Sequence, residues 1–237
     1  MERHISMNCR LLLLSGSYRG EKTTSNSILS HLSQHIENKD ISIERLKISS
    51  RIPDKKNDEL IFNHIDMADI IIFCAPKYNL SLPAPVMYQF ERLYQRKDEL
   101  TEKKRKFISI IQFEAPVGGT IAQKICRNFS DSMGFCWYGD LTLPGAGEIK
   151  GRPLHETDSM IKNIRTSLEI TAKAISDGHP VPEKARKTGK KQMPTWLIIL
   201  IVNSLIKQYC KKNNIDIFKA PYENEFGLWD KNDFYHN

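Results

Sequence analysis

Apolar residues along this chain follow two alternating rhythms. Residues 10–14, 69–75 and 107–113 are nearly continuous apolar runs, which read as strands buried on both faces. The first stops at Ser15-Gly16, and the second stops at Pro76. Residues 41–48 alternate apolar and polar positions through Ile41, Ile43, Leu46 and Ile48, as a strand near a sheet edge does. Residues 135–143 read as the last strand. Between these runs the apolar positions recur at helical spacing. Ile28, Leu29, Leu32 and Ile36 predict a helix over 24–36, and Val86, Phe90, Leu93 and Tyr94 predict one over 83–96, entered through proline. Ile161, Ile164, Leu168, Ala172 and Ile175 predict a long helix over 158–175, with two more helices at 58–67 and 120–133.

Five strands alternating with helices over about 175 residues demand a mostly parallel sheet, covered on both faces and joined by right-handed crossovers. Ligands of such sheets sit at the carboxyl ends of strands, where the strand order reverses. The loops after strands one, three and four are therefore the ones to read for chemistry.

Beyond residue 177 the pattern changes. His179-Pro180-Val181-Pro182 reads as a linker, and residues 184–191 carry five basic residues and no acid. A mostly apolar stretch follows at 196–206, then a basic one at 207–212. The expected organisation is a domain over 1–178 and, over 179–237, a basic linker with a helical C-terminal extension. Eleven helical residues span about 16 Å, roughly half a bilayer core, so 196–206 is not a transmembrane helix.

Composition is that of a globular protein, 40% hydrophobic and 27% charged. A formal charge of +7 suits an anionic ligand, such as a phosphate-bearing cofactor or a nucleotide, or else a solvated basic surface. Zinc-finger spacing, an RNA-binding aromatic run and a basic region with heptads are all missing, so no nucleic-acid partner is expected. Five scattered cysteines without a CxxC pair argue against a disulfide framework, a zinc site or an iron–sulfur cluster, and place the chain in a reducing cytoplasm. Leu11 to Leu14 are too few for a signal-peptide core. His31, His35, His64, His155 and His179 read as surface histidines, and no metal site is expected.

Three loops carry the chemistry. The first, Ser15-Gly16-Ser17-Tyr18-Arg19-Gly20-Glu21-Lys22-Thr23-Thr24-Ser25-Asn26-Ser27, joins a buried strand to a helix start and is crowded with hydroxyls. A phosphate needs donors and positive potential, and a helix N-terminus with Ser/Thr hydroxyls and Arg19 supplies both. The alternative is plain helix capping by Thr24 or Ser25. The loop is neither a P-loop nor GxGxxG. In the second, Ala75-Pro76-Lys77-Tyr78-Asn79-Leu80-Ser81-Leu82-Pro83-Ala84, Tyr78 offers a face for a planar ring, or simply packs on the surface. The third contains Gly118-Gly119, which either lets backbone approach a ligand or only turns the chain into a helix.

These motifs resemble the flavodoxin-like NAD(P)H-dependent FMN reductase family over residues 10–145. Gly16-Ser17-Tyr18-Arg19 with Ser25-Asn26-Ser27 matches its first loop, and Pro76-Lys77-Tyr78-Asn79-Leu80-Ser81-Leu82-Pro83-Ala84 matches its second. The resemblance implies an α/β, flavodoxin-like, doubly wound five-stranded parallel sheet of order 2-1-3-4-5. It implies flavin mononucleotide (FMN) as cofactor, with Ser17, Arg19, Ser25, Asn26 and Ser27 on the phosphate. Pro76, Tyr78, Asn79 and Ser81, in one loop with Lys77 and Leu80, would line the ribityl chain and isoalloxazine, and Gly118 and Gly119 the ring's other edge. Three features depart from the pattern. Residues 20–23 are extra, Lys77 replaces an apolar residue, and no cysteine cluster follows the third strand, which excludes the iron–sulfur branch.

The implied function is an FMN-dependent NAD(P)H oxidoreductase, a cytoplasmic homodimer using NADH or NADPH and a small acceptor such as a quinone or flavin. No acid–base residue is assigned, because the flavin carries the chemistry. Two alternatives stand beside it. One is a flavodoxin-type electron carrier, against which the basic charge argues. The other is a membrane- or partner-binding module on the same scaffold, motivated by the basic run beside residues 196–206. Packing of 196–206 on protein is the reading preferred to a membrane role.

Overall fold

A computed structural model describes residues 9–17, 20–114, 120–157, 161–190 and 195–213. The chain divides into two compact units, 1–192 and 193–237. The first holds β1 (Cys9–Ser15), α1 (Thr24–Gln34), β2 (Ile41–Lys47), α2 (Lys55–Met67), β3 (Ile70–Pro76) and α3 (Ala84–Gln95). Then come β4 (Lys106–Phe113), α4 (Thr120–Ser132), β5 (Cys136–Pro144), α5 (Lys162–Ser176) and α6 (Glu183–Lys190). All five strands pair in parallel in the order β2-β1-β3-β4-β5.

Alternation along the central strands sorts side chains into two cores, because successive residues of a strand point to opposite faces. Leu11, Leu13, Ile70 and Ile72 pack with Ile28 and Leu32 of α1 and with Leu168 and Ile175 of α5. Leu12, Leu14, Ile71 and Phe73 pack with Ile61 of α2, Val86 and Phe90 of α3, and Phe129 of α4. The second core is rich in rings, with Phe90 stacked on Phe129 at 3.8 Å between centroids. Such a sheet needs continuous apolar runs in β1, β3 and β4, which is why those strands stand out in the sequence.

Two elements differ from expectation. Helix α2 starts at Lys55 rather than 58, because Asp54 caps it by accepting from the Asn57 N–H at 3.2 Å. Its polar first turn carries no hydrophobic signal. Residues 181–190, expected to begin a linker, belong to the first unit. Val181 and Ala185 are buried in the α1–α5 core, and the Val181 N–H donates to the Tyr138 carbonyl at 2.9 Å. Ser167 Oγ of α5 donates to the Ala185 carbonyl at 2.8 Å. Only the basic face of α6 is visible in sequence. Its buried side is made by small residues, whose pattern is too weak to read.

The second unit contributes α7 (Thr195–Lys212). It is longer than the expected 196–206 because lysines continue the helix. Among the described residues no helix is long and apolar enough to cross a membrane.

Candidate functional site

The carboxyl ends of β1, β3 and β4 open into a cleft of about 670 Å³, within the size range of small-molecule and cofactor sites. It lies where the strand order reverses, with β2 on one side of β1 and β3 on the other. Four chain segments line it.

The first is the loop between β1 and α1. Gly16 turns the chain tightly against β3: its N–H donates to the Cys74 carbonyl at 2.8 Å, and a Cβ there would stand 2.7 Å from that of Ala75. Ser17, Lys22, Thr23 and Thr24 face the cleft. Thr23 is the N-cap of α1, its hydroxyl accepting from the Asn26 N–H at 3.2 Å. Asn26 Nδ2 donates to the Glu21 carbonyl at 2.8 Å, and Ser27 Oγ to the Thr23 carbonyl at 3.2 Å. Both side chains thus brace the loop from behind rather than line the cleft. Ser25 is fully buried beside Cys74. Burial pushes the Cys74 thiol up to about 12, so it packs as an apolar residue and offers no thiolate. Arg19 lies outside the described residues.

The second segment follows β3. Pro76, Lys77, Tyr78 and Asn79 line the cleft. Tyr78 and Ser81 exchange backbone hydrogen bonds of 3.0 and 3.1 Å, closing a turn in which Asn79 takes a left-handed φ of 52°. Asparagine tolerates that conformation better than most residues. The turn leaves Leu80 at its exposed tip and Ser81 half-buried, both off the cleft wall. The Lys77 ammonium sits 4.4 Å over the Phe113 ring, so this departure from the family pattern places a cation at the cleft.

The third segment is the end of β4, where Gln112, Phe113 and Glu114 line the cleft. Gly118 and Gly119 lie outside the described residues. The fourth segment, which the sequence reading missed, follows β5 and contributes Gly147, Lys150 and Gly151. Gly151 has φ 74°, and a Cβ on it would stand 2.5 Å from the Lys22 carbonyl oxygen. This segment therefore closes directly onto the first loop. Its signal was present in Gly145, Gly147 and Gly151 after the last strand, positions beyond the three loops read for chemistry.

Lys22, Lys77 and Lys150 against Glu114 give the lining a formal charge of three minus one, or +2. A cleft combining cations, hydroxyls at a helix N-terminus and an aromatic ring suits a ligand that is anionic at one end and planar at the other. All five cysteines are free, and none lines the cleft.

No protein-family model matches the chain, and no curated protein matches it. Solved structures do. An NADH:FMN oxidoreductase in its apo form aligns with a TM-score of 0.54 at 12% identity, over 75% of this chain and 94% of its own. A flavodoxin, a WrbA-like protein from Agrobacterium tumefaciens, aligns at 0.51 and 12% identity, over 72% of this chain and 99% of its own. An FMN-dependent NADH-azoreductase from Bacillus anthracis, solved with FMN, aligns at 0.51 and 9% identity, over 71% and 100%. Together with the 2-1-3-4-5 parallel sheet, these likenesses establish that the chain has the flavodoxin-like fold.

Proposed function

We propose that the protein is an FMN-dependent NAD(P)H oxidoreductase that passes electrons to a small acceptor such as a quinone or a flavin. The observation that carries this reading is the cleft itself. It joins three lysines, the hydroxyl-rich start of α1 and Tyr78 at the reversal point of a flavodoxin-like sheet. Its donor set fits FMN: Ser17, Lys22 and Thr24 suit the phosphate, and Pro76, Tyr78 and Asn79 suit the ribityl chain and ring. The chemistry FMN supplies when bound is hydride acceptance from a nicotinamide and onward electron delivery.

The protein's part is position and electrostatics. Lys22 and Lys150 draw the phosphate end inward, while the turn at Asn79 holds Tyr78 at the mouth. Phe113 and Pro76 exclude water from the inner wall, and Lys77 supplies positive potential that favours electron-rich states of a planar ring. The family resemblance adds Arg19 and Gly118-Gly119 to the binding set, and a homodimer as the assembly; Asn26 and Ser27 serve it by bracing the loop.

The test is anaerobic photometry of the purified, FMN-loaded chain with NADH and with NADPH. Bleaching of the flavin's visible band by either nucleotide is expected. A chain that binds FMN but stays oxidised with both nucleotides is an electron carrier instead, and one that binds no FMN overturns the reading. Arg19→Ala is expected to weaken FMN binding about tenfold, the equivalent of about 1.4 kcal/mol.

A further inference from the structure

The seam between α1 and α5 carries a side-chain cluster that the cleft does not use. His31 and His35 stand four residues apart at the C-terminal end of α1, which brings both rings to one side of the helix, with centroids 4.3 Å apart. Glu169 of α5 faces them, its Oε1 3.6 Å from His31 Nε2. One ligand atom from each residue lies within 4.8 Å of the others.

Their hydrogen bonding prepares these groups for a ligand. His35 Nδ1 is 2.8 Å from the His31 carbonyl oxygen. A carbonyl only accepts, so Nδ1 carries the proton and Nε2 keeps its lone pair. That is the tautomer of a metal-ligating imidazole, with the backbone bond that orients it. His31, expected at the surface, is only 7% exposed, and its Nε2 is shut from water with no hydrogen-bond partner. At 3.6 Å the Glu169 carboxylate is too far to satisfy it. A plain histidine–carboxylate pair would close that distance, and would not need a second ring beside the first.

We propose that His31, His35 and Glu169 form a binding site for a zinc-type divalent transition metal that clips α1 to α5. Bonds of about 2.0–2.2 Å place tetrahedral ligand atoms about 3.4 Å apart. His31 and Glu169 already stand near that spacing, and rotation of the exposed Glu169 side chain and the His35 ring closes the rest. Water completes the fourth position. His35 and Glu169 open on a recess of about 690 Å³ that Glu37, Lys173 and Asp177 also line, which gives an ion a route in. Two imidazoles and one carboxylate select zinc, cobalt or nickel over magnesium or calcium. The site does not depend on the flavin reading.

The experiment uses the full chain stripped with a chelator and titrated with Zn²⁺ in a calorimeter, with Co²⁺ as an optical probe. One Zn²⁺ per chain at micromolar affinity is expected, together with the intense visible bands of four-coordinate Co²⁺. His35→Ala and Glu169→Ala are each expected to weaken Zn²⁺ binding at least tenfold, whereas His155→Ala leaves it unchanged. Both positions reach solvent, so circular dichroism of the metal-free variants separates lost ligation from lost folding. The proposal is overturned if no Zn²⁺ binds at millimolar concentration, or if either folded variant keeps the parent affinity.

Discussion

Arg105 shows how much one residue can organise. It is only 3% exposed, yet its guanidinium donates to the carbonyls of Ile65, Asp66 and Thr101 and pairs with the Asp66 carboxylate. Burial lowers the guanidinium's proton affinity without neutralising it, and the partners from two segments compensate. Arg105→Ala leaves those acceptors unpaired and is expected to cost about 3 kcal/mol or more in urea unfolding. Burial disfavours the Asp66 carboxylate, but the Thr101 N–H and hydroxyl and Arg105 outweigh it and hold the carboxyl below its usual range. Folded Asp66 therefore binds its proton less readily than the unfolded chain does. The stability it adds is full above about pH 4 and is lost as pH falls through the folded value. Asp66→Asn is expected to flatten the acid limb of the urea midpoint against pH, and an unchanged limb would remove Asp66 from the account. At the cleft, Lys22→Ala with Lys150→Ala is expected to weaken FMN binding at least tenfold, measured by fluorescence titration.

At the scale of elements, α6 is the part whose role changed most. Val181 and Ala185 are buried, and hydrogen bonds tie the segment to β5 and α5. Burial of those side chains and the two bonds together contribute about 3 kcal/mol. A chain ending at 178 is therefore expected to melt at least about 5 °C below one ending at 192, by circular dichroism. Equal melting temperatures would mean that α6 is a passenger. The strands and the helices α1, α3 and α4 were legible because their apolar spacing matches the period of the element they form. The start of α2 and the whole of α6 were not, since a capping aspartate and a few small residues carry no period.

At the scale of the molecule, the excess of seven positive charges is partly concentrated where it acts. Three lysines line one cleft, and an anionic ligand there meets a field that salt screens. Raising NaCl from about 0.05 to about 0.5 M is expected to weaken FMN binding several-fold, because the screening length falls well below the cleft's dimensions. Salt-independent affinity would assign the charge to the surface at large.

The order of strands and helices, the parallel sheet and the two loops that supply Ser17 and Tyr78 were determined by the sequence itself. Those features rest on local periodicity and on turn residues adjacent in the chain. Only the tertiary structure decided which of the loop residues reach the cleft. Ser17 does, whereas Asn26 and Ser27 turn their side chains back onto the 21–23 backbone and Ser25 is buried beneath it. It also decided that Lys150 and Gly151 close the cleft from beyond β5, and that Glu169 meets His31 and His35 from a helix more than 130 residues away. Such meetings follow from how elements pack across a sheet; the glycines after β5 mark a tight loop, but spacing along the chain does not say which element that loop meets.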